Sequence, residues 1–293
     1  MQQVSRDSSR VKVAAQDMRL ASQLTIASPV EVDGIGLHTG EKSLVRIVPE
    51  SQPVGISFIV GEMQIAAVPE NVSNSSRQTA LSNGMASVQT VEHLLAALGG
   101  LGISHVRIYV TGPEVPALDG SAMGWVRLLE AAGTRHIGQP VPAPVLPHAI
   151  TVEDDAGRLR AAPCDRYLIS VSVDYRQVGK QSATLEVTPE TFKREIAPAR
   201  TFGFADEARA VFAAGLASGA SLENVLVIHN GGFSSPPRLP DELARHKMLD
   251  LIGDLALVGV PLSVEIEAIR PSHRLNVQLA RSLAQALHAQ RPR

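Results

Sequence analysis

In the segment ARHKMLDLIGDLAL, His246 and Asp250 stand four residues apart within a stripe of Leu243, Leu249, Ile252, Leu255 and Ala256. On a helix that spacing puts imidazole and carboxylate on one face, with Cβ atoms roughly 5–6 Å apart, close enough to share one ion. Asp254 continues the face by one turn, and Lys247 lies just round the helix. Taken alone, this pattern fits a solvated polar face as readily as a metal site. Glu92 and His93 change the weighting, because they interrupt the otherwise apolar QTVEHLLAALGG. Two ionisable groups in such surroundings are costly to bury unless something binds or pairs with them. One His from this segment and two ligands from the other would leave a fourth zinc position open for water, as in catalytic rather than structural sites. Glu92, beside a ligand, would then be a general base acting on that water. A partly exposed His on a helix packed against a linker is the plainer alternative.

The elements that must carry these residues fall into two runs. Proline recurs through Gly138 to Pro147, GQPVPAPVLP, where the chain must run extended without donating ladder hydrogen bonds. Before it, alternation predicts strands at Gln23 to Val32 and Ser43 to Val48, then a helix from Ser87 to Leu98, a strand at His105 to Val110 and a helix from Ala122 to Ala132. After it, strands are expected near Ile150, at Leu168 to Val173 and at Ala183 to Val187, then a helix from Asp206 to Ala217 and a strand at Asn224 to Ile228. A helix from Pro240 to Val258, a strand at Leu262 to Ile269 and a helix from Ser272 to Ala289 complete the chain. Strands followed by helices, twice over, predict an α+β fold of two similar two-layer domains with the active groove between them. The expected division is a disordered extension over 1–21, a first domain over 22–138, a linker over 139–147 and a second domain over 148–293.

Composition narrows the chemistry further. The 293 residues are 44% hydrophobic and 19% charged, with a formal charge of −2, which gives no electrostatic reason to expect nucleic acid or an anionic surface. Aromatic residues make up 3%, too few for base-stacking platforms. The single cysteine, Cys164, excludes an internal disulfide and a cysteine-based zinc cluster, so the chain reads as cytoplasmic and any metal must be held by His, Asp or Glu. No apolar run reaches the roughly 18 residues of a membrane span. A monomer is the expected state.

Five blocks together are more specific. GIGLHTG at Gly34 to Gly40, TVEHLLAALGGLG at Thr90 to Gly102, GPEVPALDGSAMGW at Gly112 to Trp125, ARTFGF at Ala199 to Phe204 and HKMLDLIGDL at His246 to Leu255 resemble the zinc-dependent UDP-3-O-acyl-N-acetylglucosamine deacetylases of lipid A biosynthesis. The resemblance runs from about Ser22 to Ala289. It implies two domains, each with two helices on a sheet, and one zinc ion at the bottom of the groove, held by His93, His246 and Asp250. Fe²⁺ in place of Zn²⁺ suits the same donors. Glu92 would take a proton from the zinc water, His273 in RPSHRLN would be the general acid, Asp254 would orient that imidazole, and Thr201 would hydrogen-bond the oxyanion. The implied partner is an acylated UDP-amino sugar, met by Lys247, by Arg270 at the nucleotide, by Tyr175 stacking on uracil, by Phe202, and by Leu81 at the mouth of the site. A tyrosine at a strand end fits an ordinary surface role equally well.

Some segments depart from the family pattern. DYRQVGKQ, Asp174 to Gln181, is shorter than usual and lacks its His and Pro; Ala220 stands where many members have a second Gly; and HNGGFSSPPRLP, His229 to Pro240, is unusually rich in Gly and Pro. These departures keep two rivals open: a deacetylase acting on another acylated amino sugar, and a catalytically silent ligand-binding relative. His38 fits either a turn or a groove contact, and His105 fits a structural role.

Overall fold

The computed structural model describes residues 20–289 except 231. Two five-stranded sheets dominate it. The first has the spatial order Val30–Ile35, Lys42–Pro49, Val106–Val110, Ile56–Val60, Met63–Ala66; the second has Ile150–Glu153, Arg158–Pro163, Val264–Ile269, Leu168–Tyr175, Gly179–Glu186. Both follow one plan: three antiparallel contacts and one parallel contact, with the strand that comes last in sequence at the centre. Alternation explains the strands. In Lys42–Pro49, Ser43, Val45 and Ile47 point inward while their neighbours stay exposed, and Val264, Ile266 and Ala268 do the same in the second central strand.

Each central strand is flanked in sequence by two helices: α1 (Glu92–Gly100) and α2 (Met123–Ala132) in the first half, and in the second half α5 (Glu242–Ala256) and α6 (His273–His288). Between them in the chain lie a single turn, α3 (Pro189–Thr191), continued by a π-turn over Phe192–Ile196, and a short helix, α4 (Ala208–Ala213). On α6, Leu275, Leu279, Leu283 and Leu287 are buried at every fourth residue, which fixes the face laid on its sheet. Helices α1 and α5 pack against each other very closely. A Cβ on Gly253 of α5 would run into the backbone carbonyl of Glu92, so only glycine lets α5 approach at this level. That contact brings the catalytic candidates of the two halves together.

Several expectations need correction in detail. The helix expected from Ser87 begins at Glu92, because Ser87–Val88 pairs with Ala80–Ser82 and Thr90 sits at φ 57°, in the left-handed region that breaks a right-handed helix. The helix expected over Asp206 to Ala217 is only Ala208–Ala213 and buries no residue. Residues 1–19 lie outside the described residues, but Leu20 and Ala21, counted with the extension, pair with Val141 and Pro142 of the proline-rich stretch. In that stretch Leu146 is buried in the core.

Candidate active site

The site is built where α1 meets α5. His93 and Glu92 lie in the first turn of α1, and His246, Lys247, Asp250 and Asp254 run along α5. The nearest ligand atoms of His93, His246 and Asp250 all fall within 4.8 Å of one another. His93 Nε2 and His246 Nε2 stand 3.5 and 3.4 Å from Asp250 Oδ1, and the two rings meet edge to face at 5.1 Å. His246 Nδ1 lies 3.3 Å from the Ala199 carbonyl, which accepts a hydrogen bond from Nδ1–H and so leaves the Nε2 lone pair toward Asp250. Burial drives the His246 pKa down to about 3, against the pull of Asp250, so the ring is neutral as a metal ligand must be. Burial pushes the Asp250 carboxyl up, but His246, Lys247 and His273 outweigh it and hold the group well below the usual range. Two neutral-capable imidazoles and an ionised carboxylate, all buried, are a donor set that fits a divalent cation.

Around this cluster the polar groups are tightly linked. Glu92 Oε2 accepts from the Thr79 backbone N–H at 3.0 Å, while its Oε1 lies 3.9 Å from His273 Nε2. Burial raises the Glu92 pKa, with His273 and His93 opposing. Ser272 caps α6 by accepting from Leu275 N–H, so His273 occupies the first helical position and faces the groove. Burial lowers the His273 pKa, but Asp254 and Asp250 outweigh it and lift the value to about 9. Its Nδ1 is 2.9 Å from Asp254 Oδ2, which also accepts from Asn276 Nδ2 at 2.9 Å; Asp254 Oδ1 accepts from the Thr79 hydroxyl at 2.5 Å. Lys247 Nζ donates to Asp250 Oδ2 at 2.8 Å. Its pKa is raised: burial lowers it, and Asp250 more than compensates.

Glu92, His93, His246, Lys247, Asp250 and His273 floor a groove of about 600 Å³. One wall is largely apolar, with Leu37 from the first half and Phe202, Phe204, Val211 and Phe212 from the second, while Arg77 and Glu207 also line the groove. Thr201 and Phe202 reach the groove because Arg200, just before them, is buried and held by Glu242 at the start of α5 through contacts of 2.9 and 3.1 Å.

The family model described as UDP-3-O-acyl N-acetylglycosamine deacetylase (LpxC) matches residues 23–285. The chain belongs to this family. The chain is 41% identical to a UDP-3-O-acyl-N-acetylglucosamine deacetylase of Thermosynechococcus vestitus over 90% of its length and 94% of that protein's. It is 40% identical to the Synechocystis sp. protein of the same name over 89% of its length and 98% of that protein's. A deacetylase enzyme is therefore the class to which the site belongs. Among the described residues no helix is long and apolar enough to cross a membrane.

Within this deacetylase framework, the expected residues sort by position. His93, His246, Asp250, Glu92, His273, Thr201, Lys247, Tyr175 and Phe202 all line the groove, and Asp254 stands behind His273. Tyr175 packs its ring 5.5 Å from Phe202 and 5.2 Å from Phe204, joining an aromatic cluster. Two of the expected contacts stand outside the groove lining. Leu81 is fully buried in the core, because its strand pairs on both sides with neighbours of the first half. Arg270 is exposed and outside the groove lining; a left-handed backbone at φ 49° turns the chain there, just ahead of α6. His38 lines the groove with its Nδ1 buried and unpartnered, and His105 accepts from Gly55 N–H at 2.8 Å, a structural role. Thr79 and Asn276 were missed. Asn276 gave a usable signal, three residues after His273 on one helical face. Thr79 gave none, since its partner Asp254 is 175 residues away.

Proposed function

We propose that this chain hydrolyses the N-acetyl group of UDP-3-O-acyl-N-acetylglucosamine, releasing acetate and the free amine, with one zinc ion held by His93, His246 and Asp250. The observation that carries the reading is a buried His-His-Asp cluster from both halves, faced by a carboxylate and by an imidazole lifted to about 9. Bound there, Zn²⁺ or Fe²⁺ would supply Lewis acidity to the amide carbonyl and acidify a water. Glu92, held by Thr79 N–H, takes a proton from the attacking water in its carboxylate form. His273, kept protonated by Asp254, gives one to the amine nitrogen as the C–N bond breaks. The Thr201 hydroxyl faces the carbonyl oxygen as charge develops on it. Lys247 and Phe202, with Tyr175 beside them, bind the sugar nucleotide, and the apolar wall takes the 3-O-acyl chain. Residues 22–138 and 148–293 form the two halves, joined by 139–147, in a cytoplasmic monomer.

The test is acetate release from UDP-3-O-acyl-N-acetylglucosamine by the full chain, together with metal analysis. The expected result is one zinc or iron per chain and turnover abolished by a chelator and restored by the metal. Metal bound with turnover only on a different acylated amino sugar would move the substrate, and metal bound with no turnover on any would overturn the enzymatic reading.

A further inference from the structure

Glu114 lies outside the groove, is wholly buried, and has no part in the chemistry above. Its carboxylate is surrounded by donors. Oε1 accepts from His38 N–H at 2.9 Å and from the Thr90 hydroxyl at 2.7 Å; Oε2 accepts from Thr39 N–H and the Thr39 hydroxyl, both at 2.8 Å. Successive backbone N–H groups turned toward one anion form a cradle for negative charge. Gly36, which opens this turn, has no room for a Cβ against the Glu114 carboxylate and Thr39.

The opposite side of the same turn faces the second half. The Leu37 carbonyl accepts from Gly219 N–H at 3.0 Å and the His38 carbonyl from Ser218 N–H at 3.1 Å. The peptide groups of Leu37 to Thr39 are thus held from both sides, N–H toward Glu114 and C=O toward 218–219. Segment 205–221 needs such anchors, because α4 buries none of its residues, yet Val211 and Phe212 form part of the apolar wall. Among the described residues its other side-chain tie to the first half, Arg77 Nη2 to Glu207 at 3.3 Å, is an exposed ion pair, which contributes little.

We propose that Glu114 is a positioning residue: by orienting the Leu37–Thr39 backbone it fixes the ledge from which segment 205–221 hangs, and so sets the apolar wall that grips the acyl chain. The specificity part rests on the function proposed above; the anchoring part does not. Glutamine at 114 is nearly the same size but, on whichever side its NH₂ stands, sets it against a backbone N–H of His38 or Thr39, so that amide loses its acceptor, while the Thr90 and Thr39 hydroxyls can turn to accept.

The test compares Glu114→Gln with the unsubstituted full chain by two readouts. Hydrogen exchange of amides in 205–221 should quicken by on the order of tenfold with no metal or substrate added, and kcat/KM should fall by a similar factor, mainly through KM, for a long-acyl substrate. For the same UDP sugar carrying a short acyl group, kcat/KM should change about threefold or less. Thr39→Val removes one donor to Glu114, together with the acceptor of the exposed Glu41 N–H, and should move both readouts the same way by less; it decides the matter if Glu114→Gln does not fold. Unchanged exchange in 205–221, or an equal loss on long and short substrates, would overturn the proposal. Absence of turnover in the unsubstituted chain would instead sink the proposed function, with the exchange measurement still judging the anchor.

Discussion

The helices that follow the two central strands, α2 and α6, hold the same place in identical sheet plans and have come to different ends. Helix α2 begins at Met123 after Ala122, which offers no side-chain cap, and buries Trp125, Val126 and Leu129. Helix α6 begins with a capping Ser272 and presents His273 and Asn276 to one carboxylate. The preceding pair differ as well. Helix α1 places its ionisable groups in its first turn only, whereas α5 spreads them over three turns. The repeated scaffold makes the groove; chemistry depends on what stands at helix starts and along the close α1–α5 contact between the halves. Each half is thereby incomplete without the other.

Removing a ligand from either half is the strongest way to break that picture. His93→Ala and His246→Ala should each lose stoichiometric metal and all measurable turnover, as read by metal analysis and acetate release; retained metal in either variant would mean that one half suffices. Next come the two proton-handling groups. Glu92→Gln and His273→Ala should keep the metal and lose roughly 10²–10⁴-fold in kcat, the range for a positioned acid or base. Full activity in one of them would place the chemistry in a single half.

The interface itself can be probed through stability. Gly253→Ala forces a Cβ onto the Glu92 carbonyl and should destabilise the fold by about 1–3 kcal/mol in denaturant unfolding. Gly99→Ala, whose Cβ would meet the Ala256 Cβ at 3.4 Å, should be tolerated or slightly stabilising. Equal effects would mean that the helices can slide apart without cost. The mildest effect concerns pH. Activity should fall on the acid side as Glu92, whose pKa is raised by burial, takes up its proton, and on the alkaline side as His273 loses its own near 9. A bound cation adds positive charge beside both groups and draws both limbs to lower pH. Asp254→Asn removes the charge that holds the His273 proton and should bring the alkaline limb down further, by a shift that a pH–rate profile resolves.

The sequence exposed those parts of the site whose partners repeat at helical spacing. His246, Asp250 and Asp254 could be read as one face, and the family blocks brought Glu92, His93, His273 and Thr201 to the same groove. Leu81 stands away from the groove because, at its register on the strand, its side chain enters the core. Arg270 stands away from the groove because one left-handed residue redirects the chain just ahead of Pro271. The helix expected from Ser87 showed apolar spacing, yet strand pairing and the Thr90 turn overrode propensity. Thr79 and Glu114 act through partners brought near only by the completed fold, so no window along the chain could show them.

The strand order also has a consequence for synthesis. In each sheet the strand made last is the one that must enter the middle, between Lys42–Pro49 and Ile56–Val60 in the first half and between Arg158–Pro163 and Leu168–Tyr175 in the second. Until it arrives, the ribosome-borne chain carries two hairpins with open inner edges, which are exposed to wrong pairing. Helix α1 or α5 is made just before that strand, so a nascent half holds its reactive histidines before it has a closed sheet to set them on. A chain released before Val264 would therefore lack the keystone of its second sheet as well as the helix that begins at His273.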